Sequence, residues 1–199
     1  MSSRLLNIVG GLTVAIMASL ALLVMLYGGS PGPSQRDDAL PYGGSFTMVN
    51  GHGRTVTERD FKDRPLVVFF GFTHCPDVCP TTLIEMADLM AKLGADADRM
   101  TVLFVTVDPE RDTPEIMRDY AEAFDKRIVG LTGTVEQVAA MAKAWGVYFK
   151  KAQTTGGDYT MDHTATVFLM NRKGGLQGTL DLHDRTPGVN LAKLRKVVS

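Results

Sequence analysis

The chain has no run of basic residues, no cysteine beyond Cys75 and Cys79, and no charge at all between Leu5 and Tyr27. Lysines and arginines scattered through a chain of net charge −1 exclude a nucleic-acid partner gripped by a basic stripe. Two thiolates alone under-fill a zinc site, which wants four ligands. No internal repeat is visible. With 199 residues, 45% of them hydrophobic, the composition fits one globular domain and an appendage.

The appendage is the uncharged run "LLNIVGGLTVAIMASLALLVMLY" (5–27), long enough for a membrane span of about 20 residues. It exceeds the usual h-region of a cleaved signal peptide, and Met25, Leu26 and Tyr27 stand where small residues should precede cleavage. Residues 5–27 are therefore expected to be a transmembrane helix. Arg4 lies before it, whereas Arg36 after it is offset by Asp37 and Asp38, so residues 1–4 are expected in the cytoplasm and the rest outside. An oxidising compartment for the two thiols follows. Residues 28–45, rich in glycine, proline and serine, read as a flexible linker, and the working domain as 46–199.

Within that domain, Asn50-Gly51 marks a hairpin, and "PLVVFFGF" (65–72) reads as a strand buried on both faces. A helix is expected from Pro80 to Leu93, stopped by Gly94, and a second buried strand over 100–109. Thr113 and Pro114 open a helix with Ile116, Tyr120 and Phe124 on one face. A short strand at 128–131 precedes a helix capped by Thr134 and Gln137 and running to Trp145. "VYFKKA", "TATVFLMN" and "LQGTLDL" read as three further strands before a C-terminal helix over 189–198. This order predicts an α/β sheet with helices on both faces.

The chemistry centres on "THCPDVCP" (73–80). Proline pushes the residue before it out of the helical region, and proline favours the first helical position. Cys79 is thus expected as the helix N-cap, where unpaired amides and the helix dipole lower a thiol's pKa. A disulfide closing so short a loop stabilises little, which leaves redox exchange and metal binding. A redox dithiol would be spaced C-x-x-C, one residue tighter than here. Two thiolates and one histidine suit a soft, low-coordinate ion such as Cu(I).

Four histidines compete for the third place. His52 and His183 read as exposed loop residues, and strand alternation turns His74 away from Cys75. His163 closes a polar, glycine-containing loop just before a buried strand, a position that suits a ligand as well as a hydrogen-bonded loop histidine.

Three blocks, "FFGFTHCPDVCPTTL" (69–83), "TVDPERDTPE" (106–115) and "DHTATVFLMN" (162–171), resemble the signatures of the Sco (SenC) family of copper-binding, thioredoxin-fold proteins. The resemblance spans the domain from about Phe46 and extends to the membrane anchor. It implies a thioredoxin-like fold with an N-terminal transmembrane helix, and copper, as Cu(I) or Cu(II), held by Cys75, Cys79 and His163. It also implies delivery to the cytochrome c oxidase subunit carrying the CuA site, with a thiol reductase and other copper chaperones as further partners. The alternative within the family is a thiol-disulfide oxidoreductase that reduces the acceptor's cysteines, Cys75 and Cys79 being its redox pair. Asp108 fits either a turn before Pro109 or a group near the ligands. Asp77 fits a cap of the following turn or a charge that tunes the metal, and Asp162 is placed to orient His163 by hydrogen bonding. Met161 is assigned to packing. A peroxiredoxin-like peroxidase, prompted by "DVCPT", is set aside because Pro76 stands where that family has threonine. The short N-terminus, without an arginine-rich transit segment, favours a bacterial inner membrane with the domain in the periplasm over a mitochondrial inner membrane facing the intermembrane space.

Overall fold

Six consecutive buried residues, Leu66–Gly71, form the strand around which the domain is built. The computed structural model describes residues 17–19, 43–182, 186 and 188–199. The expected anchor and linker lie outside the described residues except for 17–19, which are helical, and 43–45; His183 lies outside them too. Among the described residues no helix is long and apolar enough to cross a membrane. By its contacts the chain divides into units Met1–Asp38 and Ala39–Ser199.

In chain order the second unit holds β1 (Thr47–Asn50), β2 (Thr55–Thr57), β3 (Leu66–Gly71), α1 (Val78–Leu93), β4 (Thr101–Thr106), α2 (Pro114–Glu122), β5 (Ile128–Thr132) and α3 (Val135–Ala144). β6 (Phe149–Gln153), β7 (Tyr159–His163), β8 (Val167–Met170), β9 (Leu176–Leu180) and α4 (Val189–Val198) follow. Among the described residues seven strands make one sheet in the order β2-β1-β5-β4-β3-β8-β9, while β6 and β7 form a separate two-stranded ribbon. β3, β4 and β5 are parallel, and β1 and β8 flank them antiparallel. The loops leaving β3 and β4 consequently emerge side by side, at the carboxyl end of the sheet where such folds bind ligands.

Strand alternation sorts the core into two layers. Phe69 stacks on its cross-strand partner Phe104, which stacks in turn on Tyr120 of α2. Phe70 points the other way, against Trp145 at the end of α3 and Phe168 of β8. Helices therefore cover both faces, as the pattern predicts. Fully burying a side chain such as phenylalanine is worth about 1.5–3 kcal/mol, so this aromatic spine is a major part of the driving force.

Two local expectations shift. The buried face of α2 is Met117 and Ala121, while Ile116 is 40% exposed. A Cβ at Gly130 of β5 would lie 2.6 Å from the Met117 carbonyl oxygen, so the missing side chain lets α2 settle onto the sheet along Met117. The second shift concerns the polar stretch before His163, which is strand β7 and not loop. Its pairing with the equally polar β6 supplies the backbone hydrogen bonds that an apolar pattern would have announced.

Candidate metal centre

The loop after β3 turns back at once, with the Cys75 amide donating to the Phe72 carbonyl at 3.3 Å. Helix α1 then starts two residues sooner than proline statistics predict. Asp77 is its N-cap, Val78 and Cys79 are its first residues, and the Thr81 amide donates to the Asp77 carbonyl at 3.1 Å. Pro80 forfeits no hydrogen bond there, because the first amides of a helix have no intrahelical acceptor. The free amide of Cys79 donates instead to the Cys75 sulfur at 3.4 Å. The anion-favouring helix start thus serves Cys75, and the expected lowering at Cys79 is corrected: burial pushes the Cys79 thiol's pKa up. Both thiols are free and buried.

Gly71 makes the space for Cys79. A Cβ at Gly71 would lie 2.8 Å from the Cys79 Sγ and 2.8 Å from the Phe104 ring, closer than real contacts allow. Gly71→Ala is expected to cost about 2 kcal/mol in unfolding free energy, measured in urea, by overpacking a closed site. The same variant should weaken metal binding by displacing the sulfur, and unchanged values of both would refute the close fit.

His163 ends β7, opposite Phe149 of β6. Its Nδ1 lies 3.0 Å from the Thr164 carbonyl, which can only accept, so Nδ1 carries the hydrogen and Nε2 keeps its lone pair. That Nε2 lies 3.7 Å from the Cys79 sulfur. The ring meets Phe72 edge to face (centroids 5.7 Å apart) and also contacts Phe69. Burial lowers the imidazole's pKa from its ordinary value, against smaller opposing effects of the Thr164 carbonyl and Asp162, and so favours the neutral, ligating form. One ligand atom each from Cys75, Cys79 and His163 falls within 4.8 Å of the other two.

The acidic residues sort differently from expectation. Asp162 is exposed, and the hydrogen bond that orients His163 goes to Thr164 because alternation along β7 puts neighbouring side chains on opposite sides. Asp77 is exposed and makes no side-chain cap; its carboxylate lies 3.4 Å from the Thr81 hydroxyl. Asp108 is buried and binds the Arg111 Nε, while the Tyr159 hydroxyl donates to its other oxygen at 2.9 Å. Arg111 also donates to the Tyr159 carbonyl at 3.0 Å and lies 3.8 Å over the Tyr159 ring. Since Tyr159 begins the strand that His163 ends, Asp108 holds the ribbon carrying the imidazole and touches no ligand directly. Met161 packs in the core.

Asp112, which sequence reasoning passed over, anchors the cysteine loop. Fully buried, it accepts from the Thr73 amide at 3.1 Å and from the hydroxyls of Thr73 and Thr106 at 2.6 Å each. The signal lay inside "DPERD", where the second aspartate recurs four residues after the first. His74 is half exposed, with its Nδ1 3.9 Å from Asp112, and His52 is an exposed turn residue.

A sheet of this topology whose C-x-x-x-C pair is met by an imidazole from a separate ribbon defines a class: thioredoxin-like proteins with a three-donor cluster of metal-binding character. The chain belongs to the SCO1/SenC family, whose profile matches residues 34–199. It is similar to SenC of Rhodobacter capsulatus, 38% identical over 146 residues that cover 72% of this chain and 63% of that protein. It also resembles the solved structure of Bradyrhizobium japonicum ScoI with copper bound, at TM-score 0.73 and 43% identity over 78% of this chain and 99% of that one. A third likeness is to BsSco, described with a disulfide switch and as a member of the Sco family of cytochrome c oxidase assembly proteins; identity is 25%, TM-score 0.60, and coverage 79% of this chain and 94% of that one. The chain spans about half the length of the curated relatives it matches in Arabidopsis thaliana, fission yeast and human.

Proposed function

We propose that this protein is a membrane-anchored metallochaperone that binds one copper ion through Cys75, Cys79 and His163 and hands it to the CuA-bearing subunit of cytochrome c oxidase. The observation that carries the reading is the convergence of two thiols and an unprotonated imidazole nitrogen within 4.8 Å. Soft thiolates hold Cu(I), the imidazole is acceptable to both oxidation states, and three donors leave an approach open for an acceptor's ligand. Copper bound in the related ScoI supports the choice of metal, and the oxidase-assembly description of BsSco supports the recipient. The uncharged stretch 5–27 supplies the anchor, with the domain on the periplasmic side of a bacterial inner membrane.

Binding requires both thiols deprotonated, and a disulfide removes two of the three donors. The reduced chain is therefore expected to take up one equivalent of Cu(I), and the oxidised chain none, in equilibrium dialysis against a competing chelator. Equal uptake in both states would refute the site.

The two adjacent free thiols also favour a second reading, reduction of the acceptor's cysteines. Thiol exchange needs no imidazole ligand, so that reading requires His163→Ala to keep full reductase activity toward a partner disulfide without copper.

A further inference from the structure

The end of β3 away from the cysteines borders a second recess. Leu66, the first residue of β3, pairs with Met170, the last of β8, and both line a cavity of about 420 Å³, within the usual size of small-molecule sites. At about 3.3 Å per strand residue, Leu66 stands roughly 17 Å along β3 from Gly71, after which the cysteine loop begins. The cavity is therefore separate from the thiols. Phe46 and Phe61, stacked with centroids 6.1 Å apart, also line it, so much of its wall is aromatic.

That wall carries an unmet polar group. Trp145 is 2% exposed, and its Nε1 has no hydrogen-bond partner among the described residues. Phe70 and Phe168 pack against the indole, while a Cβ at Gly43 would lie 3.7 Å from its Cζ2 and 3.8 Å from Cε2, the carbon bonded to Nε1. Gly43 lines the cavity, so the N–H edge of the ring is turned toward it. A buried donor in that state destabilises the fold until an acceptor enters. The mouth is cationic, for among the described residues Lys62, Arg64, Arg172 and Lys173 stand there against Glu58 and Asp63. Glu58 is already engaged by the Phe46 amide and by Arg59, whereas neither Lys62 nor Lys173 has an ion-pair partner among the described residues.

We propose that this cavity is a binding site for a flat aromatic carboxylate that carries an oxygen at its far end. The carboxylate meets Lys62 and Lys173, the ring lies between the aromatic walls, and the far oxygen accepts from Trp145 Nε1. Each feature selects against a class of ligand. A hydrocarbon leaves the indole donor and the cations unmet, a small inorganic anion leaves the apolar wall bare, and aromatic walls favour a ring over an acyl chain. The site goes beyond copper binding and does not depend on it.

Trp145 is the chain's only tryptophan, so 15N-labelled tryptophan in full-length protein, held in phosphatidylcholine nanodiscs, gives one indole N–H signal. Adding 6-hydroxy-2-naphthoate is expected to move its proton downfield to saturation, and further than 2-naphthoate moves it. In equilibrium dialysis 2-naphthoate, which lacks the far oxygen, should bind about 5-fold more weakly, as for one lost hydrogen bond. 2-Naphthol, which lacks the carboxylate, should bind roughly 10-fold more weakly, and added salt should narrow that gap. Lys62→Gln with Lys173→Gln changes two exposed side chains, should melt as the native chain does, and should abolish the preference for 6-hydroxy-2-naphthoate over 2-naphthol. An indole signal indifferent to the probe would overturn the site and leave the cavity closed to ligands. Equal binding of the three probes, or a glutamine variant that keeps the preference, would reduce it to apolar partition and overturn it as well.

Discussion

Replacing His163 by alanine is expected to leave a folded protein that binds Cu(I) roughly 100-fold or more weakly, beyond the 10–100-fold typical of losing a residue that merely orients a ligand. The imidazole supplies the one nitrogen donor of the cluster, and its Nε2 is already freed for that role by the Nδ1 hydrogen bond to Thr164. The backbone of β7 is tied independently, through its ladder to β6 and through Arg111 at Tyr159, so truncation of the ring should not release the ribbon. Lost contact with Phe72 and Phe69 should lower the stability of the metal-free protein by about 2 kcal/mol. Competition against a chelator of known affinity reads the first effect and urea denaturation the second. Because the two thiolates persist in this variant, added imidazole should recover part of the affinity. Copper held as tightly by the alanine variant would remove His163 from the ligand set.

The largest effect on stability is expected at Asp112. Its carboxylate collects the Thr73 amide, the Thr73 hydroxyl and the Thr106 hydroxyl in a site closed to solvent. Asp112→Ala strands all three donors, and at about 1–3 kcal/mol for each unsatisfied buried group the loss is on the order of 4 kcal/mol, part of it relieved by entering water. Domains are commonly stable by only about 5–15 kcal/mol, so the variant should sit close to unfolding. Asp112→Asn keeps an acceptor but turns an NH2 group toward existing donors, and should fall between the two. Thr73 is two residues from Cys75, so the alanine variant should also lose copper affinity. A change in unfolding free energy below about 1 kcal/mol would show that the network bears little of the fold.

The contrast between His163 and Asp112 shows what the sequence makes legible. Apolar runs such as 65–72 and 100–109, and the capping residues Thr113, Thr134 and Gln137, announce themselves locally, and the elements form there. The approach of Cys75, Cys79 and His163 was legible only through the family resemblance, since the spacing of an isolated histidine is compatible with an ordinary loop. β7 was missed because its residues are polar and its partner, β6, is equally so; the pairing is held by backbone bonds that leave no hydrophobic imprint. What Asp112, Gly71 and Arg111 touch was invisible for a different reason. Each acts on residues brought close by the parallel pairing of β3 with β4 or by the docking of the ribbon, and no local pattern encodes such meetings. The start of α1 was misjudged by a margin with consequences, because it moved the helix amide from one sulfur to the other.

The donors' unequal spacing along the chain gives the site a mechanical meaning. Cys75 and Cys79 belong to one turn of backbone, but His163 lies 84 residues beyond Cys79, on a ribbon outside the main sheet. An ion shared by all three is a removable cross-link between two distant parts of the chain. In the chain-entropy account, closing a loop of that length restrains the unfolded state by roughly 4–5 kcal/mol. The melting temperature of the domain then becomes a gauge of occupancy, and removal of the ion lifts one of two ties on the ribbon, the other being the Arg111 contact at Tyr159.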